Sequence, residues 1–188
     1  MSSRKAIISQ LKEVLSQDRF EHSLRVEKTA LALARKYRVN LKKASLAALL
    51  HDYARQYGRP ELVKQAKRHG LPVDPISQFE PKLLHAELSA ILAKRDFGIK
   101  AADILRAIAR HTLGAPKMSK LEKVVYLADH IEEGRDFAGV DKIRKLAFTD
   151  MDRAILESTA TMLQHLLAER LPIHPETIRT RNYYLLKV

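Results

Sequence analysis

Cysteine and tryptophan are both absent from the 188-residue chain. The absence of cysteine excludes several kinds of site, and the absence of tryptophan reduces the aromatic surface. Without cysteine there is no disulfide framework, no thiolate metal ligand and no cysteine nucleophile. Any metal ion must therefore be bound by histidine and carboxylate side chains. Aromatic residues make up just 6% of the chain, which leaves little surface for stacking the bases of a single-stranded nucleic acid.

Long apolar runs are also lacking. No stretch approaches the roughly 20 apolar residues of a membrane-spanning helix. Residues 1–15 carry charges in every turn, unlike the apolar centre of a signal peptide. We therefore expect a cytoplasmic protein that has no membrane partner.

The charge balance is strongly basic, with 34 Lys and Arg against 22 Asp and Glu, a net charge of +12 and a pI near 10.0. A basic surface favours anionic partners such as nucleotides, nucleic acid or anionic lipid, and composition does not choose among them. Most of these side chains are expected only to solvate helix surfaces. The assembly state, monomer or homodimer, is left open.

Apolar residues recur at helical spacing almost throughout, and alternation typical of a strand occurs only in the tail, residues 183–188. No linker or repeat interrupts the pattern, so we predict an all-α, single-domain helical bundle over residues 1–188. The predicted helices are residues 4–16, 18–37, 41–51, 60–69, 82–97, 101–111, 120–132, 138–147 and 150–170, with a last turn or short helix after Pro175.

The first candidate for chemistry is a His-Asp pair that follows a fully apolar segment. Residues 46–50 are apolar on every side of a helix, which predicts a buried element, and they end at His51 and Asp52. A carboxylate there is costly unless it is hydrogen-bonded, neutralised or bound to a cation. For the pair alone, an Asp hydrogen-bonded to nearby donors is the better interpretation.

Four further candidate ligands lie on apolar helix faces: His22, His85, His111 and Asp129. One buried histidine is usually a satisfied core residue. Four histidines and two aspartates that face inward from five helices are hard to explain separately. Imidazole and carboxylate suit zinc, iron or manganese, and a carboxylate can bridge two ions about 3.5–4 Å apart. We therefore predict an open, catalytic site for two divalent metal ions, bridged by Asp52.

The other four histidines fit this site less well and are predicted to be surface or boundary residues: His69, His130, His165 and His174. Replacing His165 by alanine is accordingly expected to affect neither metal loading nor turnover.

The order His22, His51-Asp52, Asp129 resembles the H…HD…D signature of the HD-domain metal-dependent phosphohydrolases. Residues 19–26, 49–54, 83–85, 110–114 and 127–137 extend the likeness. They resemble one bacterial branch, the HD-type symmetrical diadenosine tetraphosphate hydrolases, over roughly residues 5–170. The resemblance implies an HD-type helical bundle, an iron centre or one of another divalent metal such as manganese or zinc, and cleavage of diadenosine tetraphosphate into two ADP.

Residue by residue, the resemblance makes His22, His51, Asp52 and Asp129 the core metal ligands, with His85 and His111 serving a second metal. Asp52 is then also a catalytic residue. The chain departs from the family at Arg55, where lysine is common, and at Leu113, where a small polar residue is commoner. Arginine keeps the charge but changes the donor geometry.

Four residues are predicted to bind the substrate: Arg25, Arg55, Thr112 and Arg135. Arg25 lies one helical turn after His22 and is also given a catalytic role at the phosphates. The alternative for Arg25 and Arg135 is a surface ion pair with Glu21 and Asp136, respectively.

Two other functions remain open. One is a phosphohydrolase for another nucleotide, such as a deoxynucleotide or a guanosine alarmone. The other is a non-catalytic RNA- or ribosome-associated module with a structural metal, which the low aromatic content disfavours. Symmetrical cleavage requires attack at the second phosphate from one adenosine, and nothing in the sequence fixes that register.

Overall fold

The computed structural model describes residues 3–188, and these form α-helices, two short 3₁₀ turns and no strand. The prediction of an all-α fold is confirmed. The helices are α1 (Arg4–Val14), α2 (Gln17–Tyr37), α3 (Leu41–Leu50), α4 (Arg59–Arg68), α5 (Pro75–Phe79), α6 (His85–Phe97), α7 (Ala102–Ala109), α8 (Lys120–Ile131), α9 (Val140–Ala147), α10 (Met151–Ala168) and α11 (Pro175–Leu185).

Short polar side chains begin several of these helices. The side chains of Ser16, Asn40 and Ser119 accept hydrogen bonds from free N–H groups in the first turns of α2, α3 and α8. Such a cap contributes about 1 kcal/mol to helix stability. The starts of three of the helices that carry candidate ligands are therefore encoded locally.

Helix α3 lies at the centre of the core. Residues 44–50 are all buried, as the apolar segment predicts, and α2, α7 and α8 pack around them. One hydrophobic core cluster extends from Ile7 to Tyr184 within the described chain. Because α3 ends inside this core, His51 and Asp52 are placed in the interior instead of at the surface.

The structure corrects two parts of the helix prediction. The tail from Tyr183 was interpreted as alternating, but α11 continues through it to Leu185. Its buried residues are Thr177, Thr180 and Tyr184, and their spacings of three and four are helical. Helix α5 was not predicted, because it has only five residues and begins at a proline. Among residues 3–188, no helix has the length and apolarity to cross a membrane.

Candidate metal centre

Five separate helical regions bring all six candidate ligands into one cluster. They are His22 on α2, His51 and Asp52 at the end of α3, His85 at the start of α6, His111 just after α7 and Asp129 on α8. The four histidines and Asp52 are buried, and the side chain of Asp129 is 14% exposed. Residues more than a hundred positions apart therefore converge as the sequence predicts.

One half of the cluster surrounds His22 and His51. The Nε2 atom of His22 lies 3.0 Å from Oδ1 of Asp129 and 3.3 Å from Nε2 of His51. Oδ2 of Asp52 faces the same two rings, 3.9 Å from Nε2 of His22 and 3.7 Å from Nε2 of His51. Two imidazoles and two carboxylates thus share one small volume.

The other half of the cluster lies on the opposite side of Asp52. Its Oδ1 atom is 3.0 Å from Nε2 of His85 and 3.7 Å from Nε2 of His111. The two oxygens of Asp52 therefore face different pairs of histidines. This is the arrangement that a carboxylate bridging two cations requires.

The tautomers of the rings are fixed by the backbone. Nδ1 of His51 is 2.6 Å from the carbonyl oxygen of Ala48, Nδ1 of His111 is 2.7 Å from that of Ile108, and Nδ1 of His85 contacts the carbonyl oxygen of Lys82. A carbonyl oxygen only accepts, so each Nδ1 must carry the proton. In a neutral ring, Nε2 is then left with a lone pair that points into the cluster.

These lone pairs need a positive charge between them. The Nε2 atoms of His85 and His111 are 2.9 Å apart, and two deprotonated nitrogens cannot hydrogen-bond to each other. Two carboxylates add further negative charge at the same place. The donor set of four imidazole nitrogens and two carboxylates fits divalent metal ions, and its backbone-held rings match the support that metal-binding histidines usually have.

The electrostatics of Asp52, Asp129 and His51 favour the protonation states that metal ligands need. Burial acts to raise the pKa values of Asp52 and Asp129. The surrounding histidines outweigh burial and hold both pKa values well below the usual range, and at Asp129 the charge of Arg135 acts in the same direction. Burial lowers the pKa of His51 to about 4. Both carboxylates are therefore charged and His51 is neutral near pH 7.

Glu132 is a residue of this site that the sequence reasoning missed. It is 2% exposed, and its Oε1 atom lies 3.1 Å from Nδ1 of His22. Its Oε2 atom accepts hydrogen bonds from Nε of Arg25 at 2.7 Å and from the backbone N–H of Gly134 at 2.6 Å. Its spacing of three from Asp129, about one helical turn, was the signal that could have identified it.

Arginines surround the cluster. Nε of Arg135 donates to the backbone oxygen of Asp129, and its Nη2 atom lies 2.6 Å from Oδ1 of the same residue. Nη1 of Arg19, which was not predicted, lies 3.1 Å from Oδ2 of Asp52. Arg55 is partly buried, and burial lowers its pKa. Arg25 is held by Glu132, while Glu21 is 3.9 Å away.

Thr112 lies directly against the second half of the cluster. Its Oγ1 atom is 3.0 Å from Nε2 of His111 and 3.3 Å from Nε2 of His85. The predicted substrate-binding threonine therefore borders the candidate ligands.

A cavity of about 690 Å³ opens beside the cluster. Its wall includes Thr112, Asp129 and Arg135, which contact or belong to the cluster, and also Phe137, Met162 and His165. His165 was predicted to be a surface or boundary residue, and it lines this cavity. That His165→Ala affects neither metal loading nor turnover stays a prediction. An apolar cavity with a few polar groups is typical of a small-molecule site.

Residues 19–134 match the HD domain family. This chain belongs to the HD domain family. It is 38% identical over 181 residues to a protein of Bacillus subtilis (strain 168) named symmetrical bis(5'-nucleosyl)-tetraphosphatase, with 96% of this chain and 97% of the relative covered. A protein of the same name from Halalkalibacterium halodurans is 40% identical over 177 residues, or 94% of each chain. The resemblance inferred from the motifs is confirmed.

A solved structure has the same HD fold. It is a predicted HD superfamily hydrolase from Clostridium acetobutylicum, described as involved in NAD metabolism, with a TM-score of 0.96 and 37% sequence identity over 100% of both chains. The match includes every helix of this chain, so the HD fold accounts for the whole described bundle.

Proposed function

We propose that this protein is a metal-dependent hydrolase that cleaves diadenosine tetraphosphate symmetrically into two ADP. The observation that carries the proposal is Asp52, whose two carboxylate oxygens face two separate groups of ligands in a buried cluster. The full-length relatives named for this activity support the choice of substrate. The basic net charge of +12 suits a polyphosphate substrate.

We assign the six residues of the cluster to two divalent ions, with iron as the first candidate and manganese or zinc as alternatives. His22, His51 and Asp129 would hold one ion, His85 and His111 would hold the other, and Asp52 would serve both. Such ions supply Lewis-acid activation of water and of the phosphoryl group when they are bound.

The residues of the chain orient and neutralise the substrate. Glu132 accepts from Nδ1 of His22, which keeps the lone pair on Nε2 directed into the cluster. Arg25 uses Nε for Glu132, so its two Nη groups remain for phosphate oxygens. Arg135 contacts Asp129 and Thr112 contacts His111 at the edge of the cluster. Together with Arg55, whose charge interacts with Asp52 and Asp129, they complete the phosphate site.

The reaction consumes one water molecule. Its oxygen forms a bond to the second phosphorus from one adenosine, and the bond from that phosphorus to the central bridging oxygen breaks. The bridging oxygen leaves on the other half as the terminal oxygen of ADP, and a proton passes to the solvent. We place one adenosine in the cavity of about 690 Å³, because it opens directly beside Asp129 and Arg135.

A product analysis tests this proposal. Purified protein loaded with iron or manganese is incubated with diadenosine tetraphosphate, a deoxynucleoside triphosphate and a guanosine tetraphosphate alarmone, and the products are separated by anion-exchange chromatography. We expect ADP to be the main product from the dinucleotide, with little turnover of the other two. Release of AMP with ATP, or faster turnover of either mononucleotide, would contradict the proposed substrate. Salt-sensitive RNA binding without any turnover would favour the non-catalytic alternative.

We also propose a cytoplasmic location, since the proposed substrate is a nucleotide.

A further inference from the structure

A second, smaller cavity of about 160 Å³ lies next to the first. Thr112 and Met162 line both cavities, so these two side chains form the partition between them. Oγ1 of Thr112 is within 3.3 Å of Nε2 of His85 and of His111. The partition therefore lies at the candidate metal centre, and the two cavities flank it.

The lining of the smaller cavity suits a nucleoside and not a phosphate. Apolar side chains dominate it, among them Phe79, Leu83 and Leu113, and none of the described lysines or arginines lines it. Glu80 and His174 add polar atoms that can meet the edge of a base. A phosphate would meet no lysine or arginine in the cavity wall. The nearby guanidinium of Arg59 is already paired with the carboxylate of Glu80, at 3.2 Å between Nη1 and Oε2.

The size of the smaller cavity and one exposed aromatic ring also favour a nucleoside. A cavity of about 150 Å³ accepts one aromatic ring. Phe79 is 60% exposed although it is a large apolar side chain, and it lies at the end of the five-residue helix α5. Stacking of a base on such a ring is favourable whichever base is present. Phe79 therefore has the position and exposure of a stacking platform.

We propose that the smaller cavity binds the second nucleoside of the dinucleotide, so that both ends of the tetraphosphate are anchored on either side of the cluster. This inference rests on the proposed function. With the two nucleosides held in separate cavities, the middle of the phosphate chain lies over the cluster, and the central bridge is the bond presented for cleavage. The smaller cavity thereby sets the register that the sequence left undetermined. It also gives Leu113, a departure from the family's usual small polar residue, a role in forming the cavity wall.

Kinetics of Phe79→Ala and Leu113→Ser test the inference, with Phe148→Ala as the matched control, because Phe148 is 38% exposed and lines neither cavity. We expect Phe79→Ala to raise KM for diadenosine tetraphosphate about tenfold, the loss that corresponds to one stacked base. The inhibition constant of adenosine 5'-tetraphosphate, which has one nucleoside, should stay unchanged. AMP and ATP should appear among the products, since one end of the substrate is no longer anchored. Leu113→Ser should shift KM and the products in the same direction.

Two results would overturn the inference. One is a Phe79→Ala enzyme that behaves like Phe148→Ala on the dinucleotide. The other is an equal weakening of the dinucleotide and of adenosine 5'-tetraphosphate, which would place Phe79 at a site common to both ligands. Wild-type protein that gives two ADP keeps the proposed function valid in either case. Wild-type protein that does not cleave the dinucleotide removes the proposed function and this inference together.

Discussion

At the residue scale, Asp52 has the largest assigned role, because its two carboxylate oxygens face the two halves of the cluster. Replacing it by alanine removes the bridge and leaves the lone pairs of His85 and His111 without a carboxylate partner. We expect Asp52→Ala to lose its metal and to lower turnover more than about a hundredfold, since loss of even an outer partner of a metal ligand costs 10–100-fold. Metal content and turnover are measured on the same preparation. Asp141→Ala is the control, because the side chain of Asp141 is 82% exposed.

Retention of a full metal complement by the Asp52→Ala protein would contradict the bridging role. Loss of activity with intact metal binding would instead restrict Asp52 to substrate contact.

A second prediction concerns Glu132. Among the candidate ligands, the hydrogen bonds of the described residues join Glu132 to His22 alone. Its carboxylate holds the tautomer of His22 and also orients Arg25. We expect Glu132→Ala to weaken metal retention by about 10–100-fold and Glu132→Gln to weaken it less, since an amide oxygen still accepts from Nδ1. Competition with a chelator gives the affinity. Glu133→Gln, at a side chain 58% exposed, serves as the control. Equal affinity in Glu132→Ala and wild type would remove the positioning role.

At the element scale, α11 supports the loop that carries Thr112. Gly114 in this loop has φ +70°, and a Cβ atom there would lie 2.6 Å from Cγ2 of Thr180 on α11. Oγ1 of Thr180 donates to the backbone oxygen of Leu113 at 3.1 Å. The position of Thr112 at the cluster therefore depends on a close approach that only glycine allows.

This contact predicts the outcome of a mutant cycle. Gly114→Ala combines a left-handed backbone cost of about 1–2 kcal/mol with a clash worth about 1–3 kcal/mol in the free energy of unfolding. Thr180→Ser removes Cγ2 but keeps the hydroxyl, so it should relieve the clash alone. Gly70→Ala is the control, because Gly70 has φ +71° with open space around it and should show only the backbone cost. Urea unfolding measures the free energy of unfolding of the four proteins of the cycle and of the control. A strictly additive Gly114→Ala, Thr180→Ser pair would contradict the contact.

Some helices and site residues could be predicted from the sequence, and others could not. Helix α3 and the convergence of the six candidate ligands were predictable, because burial of a polar side chain is visible in an apolar helical pattern. Glu132 and Arg19 were missed, since their roles depend on which helix packs against which. Helix α5 was missed because five residues carry too little periodicity, yet it presents Phe79. The tail at Tyr183 looked alternating because a short segment does not distinguish a spacing of two from one of four.

At the scale of the whole molecule, the excess of 12 positive charges acts on an anionic substrate before it reaches the cluster. Raising the salt from roughly 0.1 M to 1 M shortens the screening length from about 10 Å to about 3 Å. We expect KM for diadenosine tetraphosphate to rise over this range while kcat changes less, because long-range attraction is screened more than contacts within the cluster. Steady-state kinetics at several salt concentrations measure both constants. A KM that does not depend on salt would contradict long-range attraction of the substrate by the positive charge.

The bundle brings histidines and aspartates from five regions of the chain together at one candidate site for cations. Quantitative elemental analysis of the purified protein, combined with turnover of diadenosine tetraphosphate before and after chelation, tests this claim most directly. We predict about two divalent ions per chain, loss of turnover when they are removed, and recovery when iron or manganese is restored. A chelated protein without metal that still cleaves the dinucleotide at the original rate would contradict the account.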